Sequence, residues 1–200
     1  MRQNAEKGFR LLMASYKEPV YWHIRRLVVS HADAQDVAQE TFVRIFRNFQ
    51  QYNEANSFKA WIFRIATNEA LRLLAEKQGK YIAHELAFDE QTTQKFLATW
   101  LDYQKEVWAL GPRLKKHDKD SQTDAEAEQA IKQRMERSQK ILDLREKYYK
   151  KYSAFLTQKQ IERVYELEQK AMKKLSKKGY RTPRGKGQRH GKPSRNRVDR

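Results

Sequence analysis

An all-α fold is what this sequence predicts: an N-terminal bundle of three to four helices, then long helical hairpins, then a disordered basic tail. Apolar residues recur at spacings of three and four along most of the chain, the period of a helix with one buried side. Only seven glycines and four prolines interrupt 200 residues. Ser, Thr and Asp side chains stand just ahead of the periodic segments, where their oxygens can accept from the free amides of a first helical turn.

The first segment runs from residue 6 to about 29, with Phe9, Leu12, Met13 and Tyr16 in register. Pro19 lacks an amide hydrogen and fixes its own φ, so it predicts a kink or restart and two helical pieces. The second piece aligns Val20, Ile24, Leu27 and Val28 on one side. Ser30 is the expected N-cap of a helix over roughly 32–50, with Asp33 suited to its positive end. The inward face of that helix reads Ala34, Val37, Ala38, Thr41, Phe42, Ile45, Phe46 and Phe49. Its other face carries Asp36, Gln39, Glu40, Val43, Arg44 and Arg47, a mixed-charge stripe with a valine at its centre. After a polar loop, Asn56 or Ser57 can cap a third helix from about 58 to 75, burying Phe58, Ile62, Ile65, Ala66 and Leu73.

From residue 81 the helices become longer and more heavily charged. Asp89 can cap a helix reaching Leu110, which Gly111-Pro112 stops. Residues 113–122 form a polar connector, and Thr123 with Glu126 and Thr157 with Gln160 each fit a capping box, starting two more helices. FDEQTTQKF (88–96) and LTQKQIERV (156–164) resemble two copies of one helix start. From Lys177 onward, four glycines, two prolines and ten basic residues leave nothing to bury, so the tail is expected to be disordered. The expected division is 1–78, 79–176 and 177–200.

The formal charge of +17 calls for a polyanionic partner. Residues 1–80 hold 13 Lys and Arg against 8 Asp and Glu, residues 81–176 hold 19 against 16, and residues 177–200 hold 10 against 1, so half the excess sits in the tail. With no cysteine there is no disulfide framework, thiolate metal site or cysteine nucleophile. No apolar run approaches the roughly 20 residues of a membrane span, and the first residues lack a signal-peptide core, so a cytoplasmic location is expected. Enzymatic signatures fail on inspection. His84-Glu85 lacks the second histidine of a zinc-protease helix at position 88, Asp118–Gln129 lacks the turn glycine and final glutamate of a calcium loop, and Gly185–Lys192 has the wrong spacing for a phosphate loop. No catalytic site, metal or cofactor is therefore expected.

The stretch FRLLMASYKEPVYWHIRRLVVSHADAQDVAQETFVRIFRNFQQYNEANSFKAWIFRIATNEALRLL, positions 9–74, resembles region two of bacterial sigma-70-type factors of the extracytoplasmic-function (ECF) group. In that family the helix containing DAQDVAQETF (33–42) docks on the clamp coiled coil of the largest subunit of RNA polymerase. The resemblance implies polymerase binding by Asp36, Gln39, Glu40, Val43 and Arg44, and an exposed mixed-charge stripe around a valine suits a protein partner on its own grounds. FKAWIFRIATNEALRLL (58–74) resembles the family's promoter-melting helix, which holds the minus-ten element as single-stranded DNA. Capturing an unpaired strand needs stacking surfaces and cations along the phosphates. Trp61, Arg64, Asn68 and Arg72 form one stripe about 16 Å long, Lys59 flanks it, and Tyr52 and Asn53 lie in the loop where the family reads base identity. For Trp61, packing beside Phe58 and Ile62 is the alternative. The resemblance also implies an anti-sigma factor as a partner, and a role in stress response.

Beyond Leu74 no helix-turn-helix resembling the family's region four is found. There, YIAHELAFDEQTTQKF and REKYYKKYSAFLTQKQIERVYELEQKAMKKL are similar to the helical stress proteins of the Spy and CpxP type, whose LTxxQ motif Leu156–Gln160 fits in full. That likeness implies a protein-binding, chaperone-like cradle as an alternative role, set against an ordinary helix start at Thr157. The tail adds an expectation of non-specific nucleic-acid affinity.

Overall fold

The computed structural model describes residues 2–55, 57–111 and 123–177, whose regular structure is six α-helices and one 3-10 turn. The connector expected at 113–122, the stop at Pro112 and the basic tail lie outside the described residues.

Helix α1 (Arg2–Arg25) passes through Pro19 without interruption, which corrects the expectation of two pieces. The proline removes one helical hydrogen bond, but Val20 and Ile24 beyond it are fully buried, and their packing keeps the last turns in line. The helix ends at Arg25, and the amides of Leu27 and Val28 both close back onto the Ile24 carbonyl, at 2.7 and 3.0 Å.

Helix α2 (His31–Asn48) starts where expected, with the Ser30 side chain accepting from the Asp33 amide. Ala34, Val37, Ala38, Thr41, Phe42 and Ile45 are buried. Two members of the expected inward face are not: Phe46 is 61% exposed and Phe49 is 53% exposed. Phe46 rests edge-on against Phe9 of α1, with ring centroids 5.3 Å apart, and Phe49 against Phe58 at 6.1 Å. Helical rotation explains this, because seven residues fall short of two turns of 3.6 and a strict apolar run drifts off the buried side. A 3-10 turn, Phe49–Gln51, then leads into the loop before α3.

Helix α3 (Phe58–Glu85), capped by Ser57 through the Ala60 amide, is ten residues longer than the segment expected from the sequence. At about 1.5 Å per residue its 28 residues span roughly 42 Å. Its continuation buries Ala75, Gly79, Ile82 and Ala83. The polar run Glu76-Lys77-Gln78 hid that extension, since small residues, Ala75, Gly79 and Ala83, carry much of the contact beside Ile82. Helix α4 (Glu90–Ala109) approaches so closely that a Cβ on Gly79 would lie 2.8 Å from both Leu97 Cδ2 and Trp100 Cδ1. Trp100 Nε1 donates to the Ala75 carbonyl at 2.9 Å, which fixes the indole over the glycine.

The three expected caps of the second half are present. Asp89 accepts from the Thr92 amide, and Thr123 and Glu126 make a reciprocal capping box at the start of α5 (Asp124–Ser153). At the start of α6 (Gln158–Lys177), the Thr157 amide donates to Gln160 Oε1 at 2.9 Å and the Gln160 amide donates to Thr157 Oγ1 at 3.3 Å. The two similar segments of sequence are thus two helix starts. Gly111, expected to help end α4, follows it at φ 75°.

Buried residues form two clusters that divide along α3. The first joins α1, α2 and the first half of α3 through Val20, Ile24, Val37, Phe42, Ile45 and Ile62, with Ile65 packed against it. The second joins the end of α3 to α4, α5 and α6 through Ile82, Phe96, Trp100, Tyr148, Tyr152 and Val164. Among the described residues, no helix is long and apolar enough to cross a membrane.

Candidate protein-docking and nucleic-acid interface

The mixed-charge stripe of α2 faces outward because the opposite side of the same helix is spent on the first cluster. Asp36, Gln39 and Arg47 are exposed, and Val43 stands at 40% exposure among them. Glu40 and Arg44 are half-buried, with Arg44 Nε 3.4 Å from Glu40 Oε1 one turn away. An apolar side chain ringed by both signs of charge gives a partner a small dry contact and a fixed register.

On α3, Lys59, Arg64, Asn68 and Arg72 are all exposed; Arg64, Asn68 and Arg72 recur on one side of the helix, whereas Lys59, in its first turn, lies on the other side. Trp61 does not join them. It is 9% exposed, stacked on Phe58 with centroids 5.8 Å apart and packed against Tyr52 at 5.2 Å. Of the two readings of Trp61, packing is the one the structure bears out, against base stacking: its ring closes the gap between α3 and the preceding loop, and apolar burial outweighs exposure for so large a side chain. Tyr52 is half-buried in that same aromatic group. Asn53 is exposed, and its Oδ1 accepts from the Ala55 amide at 2.9 Å, which shapes the loop as an Asx turn.

Sequence inspection missed Glu69, which is 5% exposed between the two stripes. Arg44 Nε lies 2.7 Å from Glu69 Oε1, and Arg72 Nε lies 3.1 Å from Oε2. A carboxylate so removed from water needs such compensation. The signal in the sequence was an acid between Ala66 and Ala70 on the buried side of a helix, with an arginine three residues later. At the start of α2, Asp33 is held by Lys77 of α3, with Nζ 2.7 Å from both carboxylate oxygens.

On the side of α3 facing α1, His23 Nε2 lies 2.8 Å from Thr67 Oγ1. The Thr67 hydroxyl donates to the Phe63 carbonyl at 2.8 Å, so Nε2 carries the hydrogen and donates. Burial, and then Arg26, push the His23 pKa below its ordinary 6.5.

Burial also pushes the Tyr152 and Glu168 pKa values up in the second half. Leu156 is buried there, while Thr157 and Gln160 bond each other at the start of α6, so the chemistry of a helix start accounts for the LTxxQ pattern by itself.

A helical bundle with an outward mixed-charge stripe on one helix and exposed arginines on the next is an all-α module with two open polar faces. Residues 12–79 match the family model described as Sigma-70 region 2. The chain is similar to the ECF RNA polymerase sigma factor SigW of Bacillus subtilis, 29% identical over 94 residues, covering 46% of this chain and 50% of that protein. It is also similar to the ECF RNA polymerase sigma-E factor of Haemophilus influenzae, at 34% over 80 residues, covering 40% and 41%. For the RNA polymerase sigma-H factor of Pseudomonas aeruginosa the identity is 33% over 70 residues, covering 35% and 36%. The chain thus spans half or less of the length of these relatives. No solved structure matches it significantly.

Proposed function

We propose that this chain is a non-enzymatic transcription initiation factor of the ECF sigma-70 type. Its region 2 docks on core RNA polymerase through the α2 stripe and binds the opened minus-ten strand along α3. The observation that carries this reading is the match of residues 12–79 to Sigma-70 region 2, a segment that coincides with the first buried cluster. In this reading Asp36, Gln39, Glu40, Val43 and Arg44 meet the clamp coiled coil of the largest polymerase subunit. Lys59, Arg64, Asn68 and Arg72 follow the phosphates, and Tyr52 and Asn53 present the loop that reads bases. Trp61 supports that loop from beneath. The polymerase partner implies the cytoplasm as the place of action, and an anti-sigma factor covering the same faces is the natural antagonist.

Retention on immobilised core polymerase tests the docking face. The Glu40→Lys and Val43→Asp double variant reverses one charge of the stripe and places another at its apolar centre, so retention is expected to fall by at least about tenfold. Retention equal to the parent would remove α2 from the contact. Strand binding is read separately with a short single-stranded oligonucleotide. Arg64→Ala should weaken it and flatten its salt dependence by about one phosphate contact.

A further inference from the structure

Glu69 sits where the two proposed faces meet, and neither face explains it. Its carboxylate is 5% exposed, and each of its oxygens faces a different arginine: Oε1 pairs with Arg44 of the docking stripe at 2.7 Å as an ion pair without hydrogen-bond alignment, and Oε2 accepts from Arg72 Nε of the strand-binding stripe at 3.1 Å. Both arginines approach through Nε and keep side-chain exposures of 40% and 48%, so their remaining donors can still meet an outside anion. We propose that Glu69 is a positioning residue that couples polymerase docking to strand binding, by dividing one buried carboxylate between an arginine of each face. The inference rests on the functional reading above.

The sign of the coupling follows from the geometry. A carboxylate with two oxygens can hold two guanidiniums by one edge each, or one guanidinium by both oxygens in the stronger bidentate form. While Arg44 occupies Oε1, Arg72 is restricted to Oε2 and its outer donors stay available to a phosphate. Once Arg44 is neutralised, Arg72 closes on both oxygens and withdraws from the strand. The reverse holds for Arg44 when Arg72 is lost. An arginine kept on its own oxygen therefore preserves the competence of the other face, and linkage makes the effect reciprocal. Glu40, one turn from Arg44, competes for the same guanidinium but only at 3.4 Å and from a half-exposed position, so it cannot replace the buried carboxylate.

The test is a double-mutant cycle on the full chain, with affinity for a short single-stranded DNA of mixed sequence as the readout. Arg44→Gln lies on the docking stripe, yet it should weaken strand binding by at least about threefold more in the parent than in a Glu69→Gln background. Loss of one positive charge is common to both backgrounds and cancels. Core polymerase retention should show the mirror result for Arg72→Gln. Arginine Nε–H resonances in the unmodified chain give a second measurement that needs no variant: adding the oligonucleotide should move the Arg44 signal along with that of Arg72. Equal effects of Arg44→Gln in the two backgrounds, or an Arg44 signal that stays still while Arg64 and Arg72 move, would overturn the coupling and leave strand binding by α3 intact. An oligonucleotide that does not bind the parent chain at all would sink the strand-binding reading and the coupling together.

Discussion

Individual side chains in this protein divide into those whose roles follow from type and those whose roles depend on what the fold puts beside them. Asp36, Val43, Arg64 and Asn68 face outward as their spacing implies, because period alone decides the side of a helix. Trp61 and Glu69 depend on their neighbours, since a large aromatic is drawn into any gap and a lone acid is carried inward only when cations meet it there. His23 is a further case that no spacing reveals, and it carries a pH prediction. Its folded pKa lies below 6.5, so the folded state favours the neutral ring. Its contribution to stability is complete above that value and is lost as pH falls through it toward the lower folded pKa. Urea midpoints measured from about pH 7.5 down to 5.5 should therefore fall. His23→Gln, which can still donate to Thr67, should flatten that fall. Gly79 gives an opposing pair of effects. Alanine would gain up to about 1 kcal/mol of helix propensity, but the Trp100 indole, tied to the Ala75 carbonyl, cannot retreat from a Cβ at 2.8 Å. Overpacking costs about 1–3 kcal/mol, so Gly79→Ala should lower the thermal midpoint.

Helix starts were more legible than helix ends, and the physics of the two termini explains the difference. A start is announced by a side chain that accepts from a free amide, and Ser30, Ser57, Asp89, Thr123 and Thr157 all do so. Substituting Ser30 by alanine should cost about 1 kcal/mol, visible as an earlier unfolding midpoint with an unchanged urea slope. Where no glycine marks it, as Gly111 marks the end of α4, an end is set by where packing stops, which sequence does not state. Helix α1 survives Pro19 because Val20 and Ile24 are buried after it, and α3 outlasts its expected end because Ala75, Gly79 and Ala83 fit against α4. Small residues carry little apolar signal in a periodicity count and yet permit the closest helix contacts. The exposed faces of Phe46 and Phe49 are the complementary error, apolar by type but rotated out of the first cluster.

At the scale of the whole chain, α3 decides how the two clusters behave together. A boundary at residue 78 separates the buried residues into two groups, and the matched region 2 segment ends at residue 79. The backbone, however, does not pause there: α3 continues to Glu85 and presents Ala75 and Gly79 to Trp100 on the far side of that boundary. Unwinding the second half of α3 would remove helical support from the first half, and cooperative helices resist partial melting next to a packed segment. The two clusters should therefore open together, with native-state hydrogen exchange giving one common opening free energy for the amides of Ile62 and Ile82. A markedly lower value at Ile62 would mean that region 2 unfolds alone while the second cluster persists. The same reasoning orders two truncations: a fragment ending at residue 88 keeps all of α3, whereas one ending at 78 cuts the helix within its buried stretch. The longer fragment should unfold at the higher temperature and keep the tighter hold on core polymerase, because the proposed docking face is presented by helices whose shared support runs past the edge of the matched segment.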